Sequence, residues 1–351
     1  MPIDEAKLQA FVGKMLGDLG SAIGAALVIV GDKLGLYKAV AAAGPITSVE
    51  LAERTMTSER YVREWLAAQA AAGYLQYDTM TQRYSMTPEQ ELVFAAEGSP
   101  VFMPGAFEII ASVLRDEPKI TEAFKTGRGV GWHEHDPSLF RGTERFFRPG
   151  YAAHLVNEWI PALDGMREKL ERGVVVADVG CGHGSSTILM AQAFPHSTFV
   201  GFDYHQRSIE RATEVAREVG VTNVRFERAM AKDYPGKDYA LVAFFDCLHD
   251  MGDPAGASAH VRSTLSGNGT WMIVEPFAHD TLEANLNPIG RVFYAASTMI
   301  CTPASKAQEV GLALGAQAGE TRIREVVTAG GFTHFRRVAE TPFNLVFEAR
   351  P

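Results

Sequence analysis

The sequence lacks what would place it in several large classes. Its 351 residues hold three cysteines, Cys181, Cys247 and Cys301, widely spaced and without a CxxC pair, so neither a disulfide framework nor a thiolate zinc site is expected. Positive charge is scarce: 33 Lys and Arg stand against 42 Asp and Glu, a net charge of −9, the wrong balance for a nucleic-acid surface. Long hydrophobic runs are missing too. The longest near the N-terminus, AALVIV at 25–30, falls far short of the roughly 20 residues that cross a bilayer. Acidic residues precede it instead of a basic n-region, so neither a leader nor a membrane anchor is expected, and a reducing cytoplasm fits.

What is present is bulk: 46% of the residues are apolar, enough for two domains with cores of their own. Leu8, Phe11, Val12, Met15, Leu16 and Leu19 recur at helical spacing, and AIGAALVIVGDKLGLYKAV is apolar on nearly every face. Such a helix must be buried, and a second copy of the chain is its expected cover. ITSVELAERTMTSERYVREWLAAQAAAGYL, then YDTMTQRYSMT, reads as helix, turn, helix and hairpin: a winged helix. Residues 1–90 carry eight basic and ten acidic residues, and Glu59, Arg60, Arg63 and Glu64 alternate along the second helix. Dimerisation is therefore expected of this domain, and DNA binding is not.

Residues 96–170 read as a mainly helical connector and lid, interrupted by GRGVGWHEHDP. Its His133, Glu134, His135 and Asp136 are metal-ligand types, but no HxxxH spacing occurs and Pro137 ends the tract, so a solvated loop or lid is expected and no metal. After Gly173 strands and helices alternate, from VVVADVG to GTWMIVEP, which implies a parallel sheet covered on both faces. HFRRVAE and FNLVFEA close it as an antiparallel edge hairpin. The expected organisation is a mainly α winged-helix domain over 1–95, a connector over 96–170 and a Rossmann-like α/β domain over 171–351.

In VVVADVGCGHGSST a buried strand runs through Gly180, Gly182 and Gly184 into a helix, where backbone can approach a ligand and helix N–H groups face it. STFVGFDYH ends the next strand at Asp203, about 20 residues on, where a carboxylate accepts hydrogen bonds from ribose hydroxyls. The dinucleotide spacing G-x-G-x-x-G is absent. ADVGCGHG with a downstream GFD resembles the class I S-adenosylmethionine-dependent methyltransferases, and the resemblance implies that cofactor. By it, Gly180, Cys181 and Gly182 face the methionine portion, Asp178 orients its amino group, Asp203 takes the ribose and Tyr204 lies along the adenine. At RAMAKDYP the pattern departs from the usual Gly-Asp, which leaves Ala229, Met230 and Asp233 near the adenine. Phe245, Asp246 and Cys247, in FFDCLHDMGDP, fall under the sulfonium.

LHDMGDP resembles the Leu-His-Asp-Trp-Ser-Asp stretch of winged-helix small-molecule O-methyltransferases, whose histidine removes the acceptor's hydroxyl proton. The resemblance makes His249 the base and Glu275 and Glu320 the acids that flank it. Met251 departs from the pattern. The residues alone leave His249 open as a turn-capping histidine, in which case the methyl acceptor is nitrogen or carbon. LNPIGRVFYAASTMICTPASKAQ resembles instead a set of actinobacterial methyltransferases, with Arg291, Tyr294, Ser297, Met299 and Cys301 on a helix over the pocket. Trp132, Phe146, Tyr294 and Met299 are the expected walls for a small, largely apolar acceptor. A different class stays open beside these: a DNA-binding regulator whose methyltransferase-like half senses S-adenosylmethionine.

Overall fold

The computed structural model describes residues 2–351. It divides into two compact units: the chain up to Ser112 with Arg141–Pro149, and Val113–Phe140 with Gly150–Pro351.

The first unit opens with α1 (Glu5–Lys33), started by Asp4, whose carboxylate accepts from Ala6 N and Lys7 N. One helix of 29 residues covers the first helical stretch and runs on into AIGAALVIVGDK, with Gly13, Gly17, Gly20 and Gly24 inside it. It ends at Gly35, which adopts φ 68°. α2 (Leu36–Ala43), α3 (Ser48–Thr55) and α4 (Glu59–Ala71) follow, then β1 (Gln76–Asp78) paired antiparallel with β2 (Arg83–Ser85), and α5 (Pro88–Phe94). Thr47 and Glu50 form a capping box at the start of α3, and an isolated bridge from Ile46 to Tyr84 ties that entry to the wing. The core is Val28, Tyr37, Leu51, Trp65, Leu66 and their neighbours, each buried side chain contributing about 1.5–3 kcal/mol. α1 reaches α4 through Gly31, where a Cβ would lie 2.5 Å from the Trp65 ring.

Two expectations about this unit turn on α1. Within the chain α1 buries only Ala25, Val28 and Gly31, while Phe11, Leu16, Leu19 and Ile23 are 58–69% exposed. The chain does not itself cover the apolar face. Nor does the shortness of AALVIV settle the membrane question, since small residues around it make α1 long and apolar enough, by length and composition, to cross a bilayer.

α6 (Pro104–Thr126) and α7 (Ser138–His154) carry the chain through the expected connector, and the unit boundaries fall inside these helices, where composition does not change. A π-helical turn, Leu155–Trp159, leads to α8 (Ile160–Ala162) and α9 (Met166–Arg172). The α/β region then runs β3 (Val175–Val179), α10 (Ser185–Ala193), β4 (Thr198–Asp203), α11 (Gln206–Glu218), β5 (Val224–Arg228), β6 (Tyr239–Phe245), α12 (Pro254–Thr264) and β7 (Leu265–Pro276). After α13 (Pro288–Ala296), α14 (Thr302–Lys306) and α15 (Gly319–Ala329) it closes with β8 (His334–Glu340) and β9 (Asn344–Arg350).

The seven strands lie in the order β5-β4-β3-β6-β7-β9-β8, parallel from β5 to β7 and antiparallel where β9 inserts between β7 and β8. β3, β6 and β9 are buried almost throughout, and Phe244, Trp271 and Phe347 are among the largest side chains of the core. Strand order reverses between β3 and β6, so the carboxyl ends of β3, β4, β6 and β7 surround a crevice that the topology opens for a ligand.

Candidate active site

β3 delivers Asp178 and then the turn Gly180–Gly184, with φ of 76°, 52° and 80° at its three glycines. At Gly180 a Cβ would stand 2.7 Å from Cys247 Sγ, so only glycine brings the backbone this close to the end of β6. Asp178 is fully buried; Ser186 Oγ and Thr187 Oγ1, on α10, donate to its Oδ2 at 2.7 and 2.6 Å, while Oδ1 has no partner. Burial pushes this carboxyl up to about 6. Asp203 closes β4 and accepts Gly182 N on Oδ2 (3.0 Å) and His205 N on Oδ1 (2.8 Å), which fixes the carboxylate beside the glycine turn. Cys181 is buried, its N–H donating to Phe202 O and its thiol packing against Gly201. Past β5, Ala229 N donates to Asp203 O, and Met230 stands 43% exposed with its N–H capped by Asp233.

β6 ends in Phe245, and Asp246 follows it. The latter takes φ 50°, a left-handed conformation that an aspartate tolerates better than most residues. Tyr151 Oη donates to its Oδ2 at 2.6 Å and Asn344 Nδ2 donates to Oδ1 at 2.9 Å. Burial pushes Asp246 up to about 8, and burial and the nearby carboxylate raise Tyr151 well above the usual phenol range. Neither partner is visible in the sequence, since both come from segments about 95 residues away.

The short 3-10 turn Leu248–Asp250 then carries His249, 4% exposed. Its Nδ1 lies 2.7 Å from Glu275 Oε2, and Glu275 Oε1 accepts Leu248 N at 2.9 Å. A carboxylate filled on both oxygens only accepts, so Nδ1 carries the hydrogen and Nε2 is the acceptor of the neutral ring. Nε2 lies 3.3 Å from Cys301 Sγ. Burial pulls the imidazole down, but Glu275 and Cys301 outweigh it and His249 is raised well above its ordinary value. Glu320 does not join this group. It sits in the first turn of α15 and pairs with Arg324 at 2.7 Å and Arg337 at 3.3 Å, because i,i+4 spacing and the adjacent strand β8 turn it toward those guanidinium groups.

HEHDP is not a solvated loop throughout. His135 is buried on Asp116 (2.9 Å), Glu134 caps Gly131 N, and Asp136 accepts from Arg115 and Ser138, so α6 pins the tract. Trp132 Nε1 donates to Asp250 Oδ2 at 2.6 Å, and its backbone hydrogen-bonds to Tyr204. Asp250 is pushed by burial up to about 6. Phe140 packs edge-on against Trp132 and stacks on His205 (4.6 Å) and His183 (6.2 Å), beside the glycine turn. Trp132 thus gathers with Tyr204 and Asp250 and not with Tyr294 and Met299, which are half-buried on α13 and the turn after it. Phe146 belongs to the N-terminal unit, where its ring meets Phe147 at 4.9 Å. An aromatic tract before a proline gave no signal that it would brace Tyr204 and Asp250.

Comparison with known proteins finds likeness in both parts of the chain. Residues 170–317 match the family described as "Methyltransferase domain", and residues 22–95 match the "Rv2258c-like winged HTH domain". An uncharacterized methyltransferase YcgJ of Bacillus subtilis (strain 168) is 26% identical over 121 residues, 33% of this chain and 47% of that protein. The chain spans less than half the length of the curated relatives it matches first. Among solved structures, a protein of Nostoc punctiforme PCC 73102 described as a "putative O-methyltransferase" aligns with TM-score 0.71 at 20% identity, covering 96% of this chain and 98% of that one. Human N-acetylserotonin methyltransferase in complex with SAM aligns with TM-score 0.71 at 15% identity, covering 97% of each chain. At these identities the likeness is one of fold over the whole length. A winged-helix domain therefore precedes a methyltransferase domain in one chain.

Proposed function

We propose that the methyltransferase domain of this chain transfers the methyl group of S-adenosylmethionine to a hydroxyl oxygen of a small, largely apolar acceptor, with His249 as general base. The observation that carries this reading is the 2.7 Å bond from His249 Nδ1 to Glu275, which fixes the tautomer and leaves Nε2 to accept a proton.

The residues fit that cofactor. The unpartnered Asp178 Oδ1 is a buried acceptor for its amino group, the Gly180–Gly184 turn admits it close to backbone, and Asp203 has lone pairs left for the ribose hydroxyls. Tyr204, Ala229 and Met230 border the adenine, and Phe245 and Asp246 border the sulfonium, where an aromatic face favours positive charge. Bound there, the sulfonium supplies an electrophilic methyl group. The chain's own work is to align the acceptor, exclude water and take the hydroxyl proton at His249 Nε2. Tyr294 and Met299 wall the acceptor. Incubation with methyl-labelled cofactor and a panel of phenols and alcohols tests the reading: label on oxygen, lost in His249→Gln with cofactor affinity intact, supports it. Undiminished label on nitrogen or carbon in that variant sinks it.

The winged helix serves as a dimerisation domain in this reading. Arg60 and Arg63 of α4 are each paired, with Glu64 at 2.7 Å and with Glu59 at 2.7 Å, so the helix that would enter a DNA groove offers few free cations. The exposed Phe11, Leu16, Leu19 and Ile23 of α1 form the face for a second copy. Light scattering on Leu16→Glu/Ile23→Glu should report monomer where the parent protein is dimeric; a monomeric parent refutes the assignment.

A further inference from the structure

Asp246 is a carboxylate without a cation, placed where the crevice reaches the chain that leads to His249. Along residues 239–250 every residue is buried except Asp246 and Cys247, so the crevice opens onto these two. The partners of Asp246 are both neutral: Tyr151 Oη donates to Oδ2 at 2.6 Å, and Asn344 Nδ2 reaches Oδ1 and Oδ2 at 2.9 and 3.2 Å. The ionisable groups around it supply no free charge of opposite sign. Glu275 on β7 and His249 on the turn after β6 are bonded to each other, and His249 also meets Cys301 on the π-helical turn Ser297–Cys301. Tyr151 on α7 and Cys247 stay neutral, since burial raises the phenol and the thiol well above their ordinary ranges. A carboxylate set in this way lacks the counter-charge that would make its ionised form cheap.

The cofactor brings such a charge. Asp203 at the end of β4 and the unpartnered Asp178 Oδ1 at the end of β3 mark two points of the crevice. The glycine turn between them closes on Cys247, whose Sγ is 2.7 Å from where a Cβ on Gly180 would stand. His249 follows Asp246 by three residues, so a methyl group passing to an oxygen at His249 leaves its sulfur beside the chain that joins β6 to the base. We infer that Asp246 is the counter-charge that tells the sulfonium of S-adenosylmethionine from the neutral sulfur of S-adenosylhomocysteine. The inference rests on the cofactor placement proposed above. With no cation beside it Asp246, pushed by burial up to about 8, holds its proton at neutral pH. An opposite charge within about 4–6 Å favours the ionised form, so Asp246 gives its proton to solvent beside the sulfonium and regains one beside the thioether. The charge that sulfur loses in methyl transfer is thereby matched by the proton that Asp246 takes back. The product lacks a partner that the substrate had, which favours exchange of spent cofactor for fresh.

The full-length protein is titrated by calorimetry with S-adenosylmethionine and with S-adenosylhomocysteine at about pH 7, in buffers of different ionisation heat, which counts the protons exchanged. S-adenosylmethionine should release about one proton and S-adenosylhomocysteine close to none, because a group near 8 is still mostly protonated at about pH 7. Asp178, which meets the amino group that both compounds carry, cancels in the comparison. Asp246→Asn should abolish the release and weaken S-adenosylmethionine by at least about tenfold, with S-adenosylhomocysteine changed by less than about threefold. In His249→Gln the release should persist, which separates Asp246 from the neighbouring imidazole. Equal release with both compounds, release kept in Asp246→Asn, or release lost in His249→Gln overturns the inference and leaves the cofactor placement standing. Failure of both compounds to bind overturns the two together. If Asp246→Asn does not fold, the parent protein and His249→Gln decide by the same readings.

Discussion

His249 and Glu275 are joined by a 2.7 Å hydrogen bond that is sealed from solvent, with Leu248 N holding the other carboxylate oxygen. The pair comes from the ends of neighbouring parallel strands, so the sheet itself sets its spacing.

If His249 accepts the hydroxyl proton, His249→Gln should lower turnover by about 10²–10⁴-fold and Glu275→Gln by less, since Glu275 acts through the ring. Methyl-transfer assays alongside calorimetric titration with S-adenosylhomocysteine separate chemistry from binding. Equal loss of affinity and turnover would show that the pair supports the fold and not the reaction.

The acid limb of the rate should sit high. Because His249 is raised well above 6.5, the neutral imidazole that acts as base accumulates only as pH climbs through that raised value, and kcat/KM should rise with it. The sign for stability is opposite. The protonated ring gains in the folded protein, so its contribution is full below about 6.5 and fades as pH rises through the folded value. A kcat/KM profile already flat at pH 6.5 contradicts this.

Asp246, pushed up to about 8 from an ordinary 3.8, retains a proton in the folded chain that the unfolded chain releases. The folded state then binds more protons between those values, so stability should decline as pH climbs from 3.8 toward 8. Asp246→Asn, neutral at every pH, should flatten that slope in thermal melts; an unaltered slope would assign it to other groups.

Asp203→Ala should weaken S-adenosylhomocysteine binding by about 10–100-fold, the loss of hydrogen bonds to a charged acceptor of about 1.5–3 kcal/mol. Calorimetry measures it. Unchanged affinity would remove Asp203 from the ribose.

Gly31→Ala should destabilise the N-terminal unit by about 1–3 kcal/mol, because the added methyl meets the Trp65 ring and must displace it. Chemical denaturation followed by tryptophan fluorescence reads this, and a neutral result would mean that α1 is free to move off α4.

The sheet and its ligand-facing strand ends were legible because each buried strand is an apolar run ending in an acid or a glycine, as in VVVADVG and STFVGFD. His249 and Glu275 were paired through the resemblance to winged-helix O-methyltransferases, and neighbouring parallel strands β6 and β7 are what bring them together. Glu320 misled: its place before a helix says nothing about which side of that helix it faces, and two arginines decided the matter. Tyr151 and Asn344 were beyond local reasoning, and so was the contact of Cys301 with His249, since these partners are remote in sequence and chosen by packing.

The π-helical turn at Ser297–Cys301 makes the chemistry of this pocket sensitive to length as well as to substitution. Such a turn holds one residue more than an ordinary helical turn, and each residue rotates a helix by about 100°. Deleting any single residue between Ser297 and Cys301 would let the segment relax to regular geometry and swing the thiol off His249, exchanging one side chain at the base for another. An insertion or deletion of one residue there is thus a route by which relatives of this chain could change what their histidine meets without mutating the histidine, its acid or the cofactor cleft.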